Sequence, residues 1–498
     1  MKAHLLFPDR DLQDVLPANH EDLVRDLELG TVIRAMSRGD KFVADVATRV
    51  LLNNLTDPVG IRYRQAILED FLSHPDLLEK LCGVVIDTLN ERRSVWGFGR
   101  LGSPSLVLSG ARRHLEMFLG HLRKLRALAD EWRASVRSLG LIELFDSLQA
   151  DLSDEYLKSA DLHVKRLGFR DGLLLSAQLG RDNTGQNYTL RAPDRQPPGW
   201  KERLGLAPRT VYSFSVHPRD DAGLQALEEL RNRGLNRVAN SVAQSADHIN
   251  NYFTLLRLEL AFYIGCFNLH ESLEQKGQPI VMPDVVPAEE AGLAFTDLRD
   301  PCLALESRAE IIGNDVNGNG RSLVIVTGAN SGGKSTFLRS VGVAQLMAQA
   351  GMFVTARSYR SSLCSAVFTH FLRKEDASMR AGRLEEELAR ISGFIPYIQP
   401  NALFLFNESF HSTNEREGSE IARQIVRALR ESHGRVVAVS HQYDFASSFL
   451  SEEGGAVLFL KAPRRPDGQR DYHLIPDPPQ PTAYGEDLYR AVFGEAGE

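Results

Sequence analysis

The chain has 498 residues, 43% of them apolar and 25% charged, and carries a formal net charge of −7. That length exceeds one ordinary core, so roughly two to four domains are expected, and the composition is that of a globular protein. The acidic balance excludes a protein that coats nucleic acid by charge alone, while leaving room for a local basic face.

Cys82, Cys266, Cys302 and Cys364 lie far apart with no C-x-x-C spacing. That pattern gives neither a disulfide framework nor a zinc site and predicts a cytoplasmic protein. The N-terminus has no signal-type apolar region. The nearest approach to a membrane span, Leu258 to Leu269, contains Glu259 and Asn268, so no membrane association is expected.

Residues 1 to about 100 read as helices, with 3.6-type spacing from Asp22 to Leu29, from Lys41 to Leu52 and again from Ile61. Residues 105 to 168 read as the longest helical stretch, a long helix with its seam on Leu115, Phe118, Leu122 and Leu125 and a second one through Leu144 and Leu148. The other face of this stretch carries Arg112, Arg113, Arg123, Lys124, Arg126, Arg133 and Arg137, a solvated face or a nucleic-acid contact. Residues 172 to 216 read as a small β insertion, with strands at Gly172–Leu179, Asn187–Arg191 and Thr210–Val216. Helices resume at Leu224–Arg233 and Val238–Leu273, and Gly277–Pro287 is a Pro-rich domain junction. Beyond it, strands and helices alternate, which predicts a mostly parallel sheet with crossover helices. The expected strands are Leu323–Val326, Ala366–Leu372, Ala402–Phe406, Arg435–Ser440, Ala456–Leu460 and Tyr472–Ile475, with helices Thr336–Met352, Arg383–Tyr397 and Gly418–Ser432.

The first of these strands runs into Gly328-Ala329-Asn330-Ser331-Gly332-Gly333-Lys334-Ser335, a G-x-x-x-x-G-K-[ST] phosphate loop. Glycines let backbone N–H groups close on phosphate oxygens, and the following helix points its positive end at the same anion. Lys334 would reach the β- and γ-phosphates of ATP, and the Ser335 hydroxyl would ligate Mg²⁺. The strand Ala402–Phe406 ends in Asn407-Glu408. Glu408 is the candidate for orienting or deprotonating the attacking water, and Asn407 would offer the metal an oxygen without the charge of the more usual Asp. The strand at Val436 ends in Ser440-His441. Since parallel strands end on one side of a sheet, His441 is expected beside Glu408 and Lys334, where it could sense the γ-phosphate.

Gly328 to Thr336, Asn407-Glu408, Ser412-Thr413 and Ser440-His441 together resemble the ATPase domain of MutS, the DNA mismatch repair ATPases. Asp297-Leu-Arg-Asp-Pro with Asn314-Asp315-Val316 resembles the family's lead-in to the phosphate loop, Gly351 to Ala356 the stretch after its first helix, and Ile61 to Gln65 with Phe253 to Leu269 its core and lever helices. The resemblance implies a helical core-and-lever domain over 1–285 and an ABC-type α/β ATPase domain over 286–498. It implies a homodimer sandwiching ATP and coupling hydrolysis to lever movement on DNA. Lys334, Ser335 and Thr336 would take phosphates and Mg²⁺, Glu408 would act on water, His441 would be the switch and Asn314 would lie near adenine. The sequence also departs from the family. It begins at what resembles the helical core and shows no Phe-x-Glu wedge motif at its start, so the mismatch-reading domain is expected to be missing. Gly382-Arg383 stand where the family's trans-acting segment has Ser and Thr. Two other readings follow from these departures: an ATP-driven clamp on a protein partner, or a nucleotide-gated binder with little turnover.

Overall fold

The computed structural model describes residues 3–12, 15–94, 102–169, 172–181, 184–191, 213–328, 332–373, 382–451, 455–463 and 470–480. Its backbone contacts divide into two compact units. One comprises 1–3, 79–136 and 142–257, and the other 4–78, 137–141 and 258–498.

The first unit is helical with one hairpin. Its helix Pro104–Trp132 buries Leu115, Phe118, Leu119, Leu122 and Leu125, the expected seam. The Phe118 ring stacks on Phe253, with centroids 6.0 Å apart. On the outer face Arg112 pairs with Glu116, Arg123 with Asp161, Arg126 with Asp130 and Arg133 with Asp146, so much of the basic face is neutralised within the unit. Strands β1 (Leu174–Leu179) and β2 (Gly185–Arg191) form an antiparallel hairpin, as expected. Of the third expected strand, Ser213 to Val216 lie in no strand and Thr210 to Tyr212 lie outside the described residues.

The two helices expected at Leu224–Arg233 and Val238–Leu273 are one helix of 55 residues, Asp221–Gln275, and this is longer than any helix in the stretch 105–168. Its residues up to Arg257 group with the first unit. Gly234 interrupts the apolar repeat, yet the helix runs through it. A Cβ there would come within 2.4 Å of the Leu175 side chain, so the glycine marks a close approach to the hairpin rather than a break.

The second unit holds two sheets among the described residues. The larger runs β12-β11-β6-β10-β9-β8, made of β6 (Leu323–Gly328), β8 (Val367–Phe371), β9 (Leu403–Asn407), β10 (Arg435–Val439), β11 (Val457–Ala462) and β12 (Ile475–Pro476). Its strands are parallel except β12, the expected arrangement. Residues 402–406, 323–325 and 436–438 supply much of its buried core. The helix Lys334–Gln349 is buried on nearly every side, including Phe337, Val341, Ala344, Leu346 and Met347. A second sheet, β3-β7-β4-β5, was not expected: β3 (Asp284–Val286), β4 (Leu293–Leu298), β5 (Asn314–Asn317) and β7 (Ser358–Ser362). Its first strand lies inside the Pro-rich stretch Gly277–Pro287 that the sequence marks as a junction.

The N-terminal residues of this unit are tied to it by buried polar groups. Arg64 is fully buried, donates to the carbonyls of Leu6 (2.7 Å) and Ala350 (3.2 Å), and lies 4.4 Å over the Phe7 ring. Burial lowers its pKa to about 10. Glu259 accepts from the Leu5 N–H at 2.7 Å, and burial raises its pKa to about 8. All four cysteines are free and buried. Among the described residues, no helix is long and apolar enough to cross a membrane.

Candidate functional site

Strands β6, β10 and β9 lie side by side in register, with Val439 opposite both Val326 and Asn407. Their carboxyl ends therefore open at one edge of the sheet, and each carries one of the polar groups singled out in the sequence. Gly328 ends β6 with φ +108°, and a Cβ there would lie 2.6 Å from the Ala462 carbonyl oxygen, so only glycine fits. Ala329, Asn330 and Ser331 lie outside the described residues. Gly333 precedes the helix at φ +84° and, as glycine, brings no capping side chain of its own, and the end of a helix that points its N–H groups outward suits an anion.

Lys334 is 4% exposed and donates from Nζ to the Gly328 carbonyl at 3.0 Å. Burial lowers its pKa to about 8, against the opposing pull of Glu408. The Ser335 hydroxyl donates to Asn407 Oδ1 at 3.1 Å, which brings two hard oxygen donors together. That pair suits Mg²⁺, which takes few protein oxygens and fills its octahedron with water and phosphate. Among the described residues no group of three or more His, Cys, Asp or Glu is arranged to hold a metal by itself.

Glu408 and His441 meet directly, Oε1 to Nε2 at 2.8 Å. That hydrogen bond is the main reason the Glu408 pKa lies below the ordinary carboxylate value, so the group is ionised at neutral pH. The His411 ring stands edge-on to His441, with centroids 6.3 Å apart, and burial lowers its pKa. Sequence reasoning passed over His411, although it follows Glu408 by only three positions.

A cleft of about 440 Å³ opens beside these groups and is lined by Ile311, Ile312, Asn314, Lys334, Glu408 and Tyr472, with Gly332 and Thr336 also on its wall. Asn314 is engaged at both ends of its amide. Its Nδ2 donates to the Tyr472 carbonyl at 3.4 Å, and its Oδ1 accepts from the Leu474 N–H at 2.7 Å. It thereby holds the 472–474 segment against the phosphate loop, with the Tyr472 ring against Gly333. Tyr472 has φ +55° and is 48% exposed, an aromatic face held toward the cleft. Nothing in its local sequence marked it, because it belongs to no motif. Gly382 and Arg383 start the helix Arg383–Phe394, and Glu375 to Ala381 lie outside the described residues.

Two family models match the chain: the MutS2 N-terminal domain over residues 56–276 and MutS domain V over residues 324–462. The DNA mismatch repair protein MutS of Porphyromonas gingivalis is 31% identical over 88% of the chain and 55% of its own length. The endonuclease MutS2 of Alkaliphilus metalliredigens is 26% identical over 78% of the chain and 49% of its own length. MutS of Thermus aquaticus is 27% identical over 37% of the chain and 22% of its own length. The chain thus spans about half the length of the relatives that it matches over most of its own sequence. With domain V on the sheet that carries the phosphate loop, the MutS2 domain on the helices before it, and MutS and MutS2 proteins matching most of its length, the chain belongs to the MutS family.

Proposed function

We propose that this protein is a DNA-processing ATPase of the MutS and MutS2 kind, a homodimer in which ATP turnover drives movement of the helical residues, 1–285 acting as core and lever and 286–498 as an ABC-type ATPase domain. One observation carries the reading: Lys334, Glu408 and His441 converge at the ends of adjacent parallel strands, with the Glu408–His441 pair closed at 2.8 Å. Gly328, Gly332 and Gly333, with Ala329, Asn330 and Ser331, would wrap the phosphates, and Lys334 would leave the Gly328 carbonyl to meet them. Thr336 would sit at the same helix end. Mg²⁺ would supply charge neutralisation on the β- and γ-oxygens, held by Ser335 and Asn407. Glu408, ionised by its bond to His441, would accept a proton from the attacking water. His441 would sense the γ-phosphate through the same bond. Asn314 would act through Tyr472, whose ring offers a stacking face to the base.

The relatives' printed names, DNA mismatch repair protein and endonuclease, support DNA as the partner. The ion-paired helix face of the first unit favours a second reading, a clamp on a protein partner. ATPase rates with duplex, mismatched and branched DNA separate the two. Stimulation that falls steeply with salt supports DNA. A rate indifferent to every DNA favours the protein partner, and no turnover under any condition overturns the ATPase.

A further inference from the structure

The loop that carries Glu408 is strained and is held from outside. Glu408 and Phe410 both adopt left-handed backbone, at φ +54° and +63°, although neither is glycine. Such conformations cost about 1 kcal/mol or more each and persist only where neighbours impose them. Much of the imposition comes from one buried carboxylate. Glu387 is 7% exposed, in the middle of the helix Arg383–Phe394. Its Oε2 accepts from the Phe410 N–H and its Oε1 from the Ser412 hydroxyl. Its backbone carbonyl accepts from His370 Nε2 at 3.2 Å, and His370 Nδ1 lies 2.7 Å from the Ser409 hydroxyl. The far side of the loop is closed by Gln442, the neighbour of His441, whose Nε2 donates to the Phe410 carbonyl at 3.3 Å. The loop is therefore pinned at 409, 410 and 412 to the helix side and at 410 to the His441 side.

We infer that Glu387 is a positioning residue that sets where the Glu408 carboxylate stands relative to His441. It makes the helix Arg383–Phe394 the support of the hydrolytic pair, so a displacement of that helix is a displacement of Glu408. The inference rests on the assignment of Glu408 to hydrolysis for its kinetic consequence, but not for its structural one. Lys334 and Ser335 bond to other groups, the Gly328 carbonyl and Asn407, so loss of Glu387 breaks neither of those bonds.

The test compares the full-length chain with Glu387→Ala, Glu387→Gln and Ser412→Ala. Glutamine can accept from Phe410 and donate to Ser412, so it keeps both bonds without the charge. Glu387→Ala should lower kcat for ATP about tenfold or more while KM stays within about twofold, and Glu387→Gln should stay within about threefold of the parent. Ser412→Ala, which removes one bond, should lose less than the alanine variant and carries the comparison if that variant does not fold. In the nucleotide-free protein, the His441 ring-nitrogen NMR signal should move in Glu387→Ala and hold in Glu387→Gln, with His441→Gln identifying the signal. An unmoved His441 signal with parental kcat in Glu387→Ala overturns the inference, as does a parallel loss of kcat and ATP affinity. A moved His441 signal in a chain that shows no ATP turnover leaves the inference standing and overturns the ATPase assignment instead.

Discussion

Gly328→Ala tests whether the phosphate loop is built as its geometry implies. At φ +108° the new side chain would occupy backbone space that L residues rarely adopt. Its Cβ would lie 2.6 Å from the Ala462 carbonyl oxygen and 2.8 Å from the Ala462 nitrogen. Both are fixed, because Ala462 is the register partner of Gly328 in the β11–β6 ladder. The left-handed backbone costs about 1–2 kcal/mol, and relieving the overlap about 1–3 kcal/mol more, so a loss of about 2–5 kcal/mol is expected. The same displacement moves the carbonyl that receives Lys334, so ATP affinity should fall with stability. Urea unfolding reads the first as a lower midpoint at unchanged slope, and equilibrium binding of ATP reads the second. Gly382→Ala is the control. Gly382 has φ −63° with nothing among the described residues within 4 Å of a Cβ, so the change should stay within about 1 kcal/mol. Gly328→Ala with parental stability and affinity, or Gly382→Ala with equal damage, would refute the reasoning.

Lys334 and Asn407 give two further tests. With its pKa lowered to about 8 by burial, Lys334 is cationic below that pH and loses its proton above it, so ATP affinity should be flat from pH 6 to 7.5 and fall toward about tenfold per unit above pH 8. Titration calorimetry reads this, and Lys334→Arg should flatten the profile if it binds at all; a parental affinity constant to pH 9 would exclude the charge. Asn407→Asp restores a negative ligand 3.1 Å from the Ser335 hydroxyl and should lower the Mg²⁺ concentration needed for half-maximal turnover. An unchanged or weaker Mg²⁺ response would remove Asn407 from the metal.

The parallel sheet was legible because most of its strands are short apolar runs, three of which lead into residues with their own chemistry: Gly328, Asn407-Glu408 and His441. Burial on both faces makes such strands continuous in hydrophobicity, and the shared direction follows from the crossover helices. The second sheet was not legible for the opposite reason. Ser358-Tyr-Arg-Ser-Ser reads as polar, yet Tyr359, Ser361 and Ser362 are buried. Arg435 donates to the Ser362 hydroxyl at 2.8 Å and to its carbonyl at 2.9 Å, so distant partners make the burial tolerable. The long helix was read as two, with a gap over 234–237, and what fits Gly234 into the continuous helix is the Leu175 side chain, 59 positions earlier in the hairpin. In the site, motifs exposed the groups that act on phosphate and water. Tyr472 and His411 belong to no motif, and Glu387 lies in the stretch around Gly382-Arg383 matched to the family's trans-acting segment without being singled out there, since what matters about each is a backbone angle, a neighbour brought by the fold or a buried carboxylate.

The most direct test of the account is ATP turnover by the parent chain and by Glu408→Gln, measured with ATP binding on the same samples. The Glu408–His441 pair is closed at 2.8 Å and the carboxylate is held ionised by it. Removal of its basicity should cut hydrolysis on the order of a hundredfold or more while ATP affinity stays within about twofold. A Glu408→Gln chain that hydrolyses ATP at the parental rate would contradict the assignment.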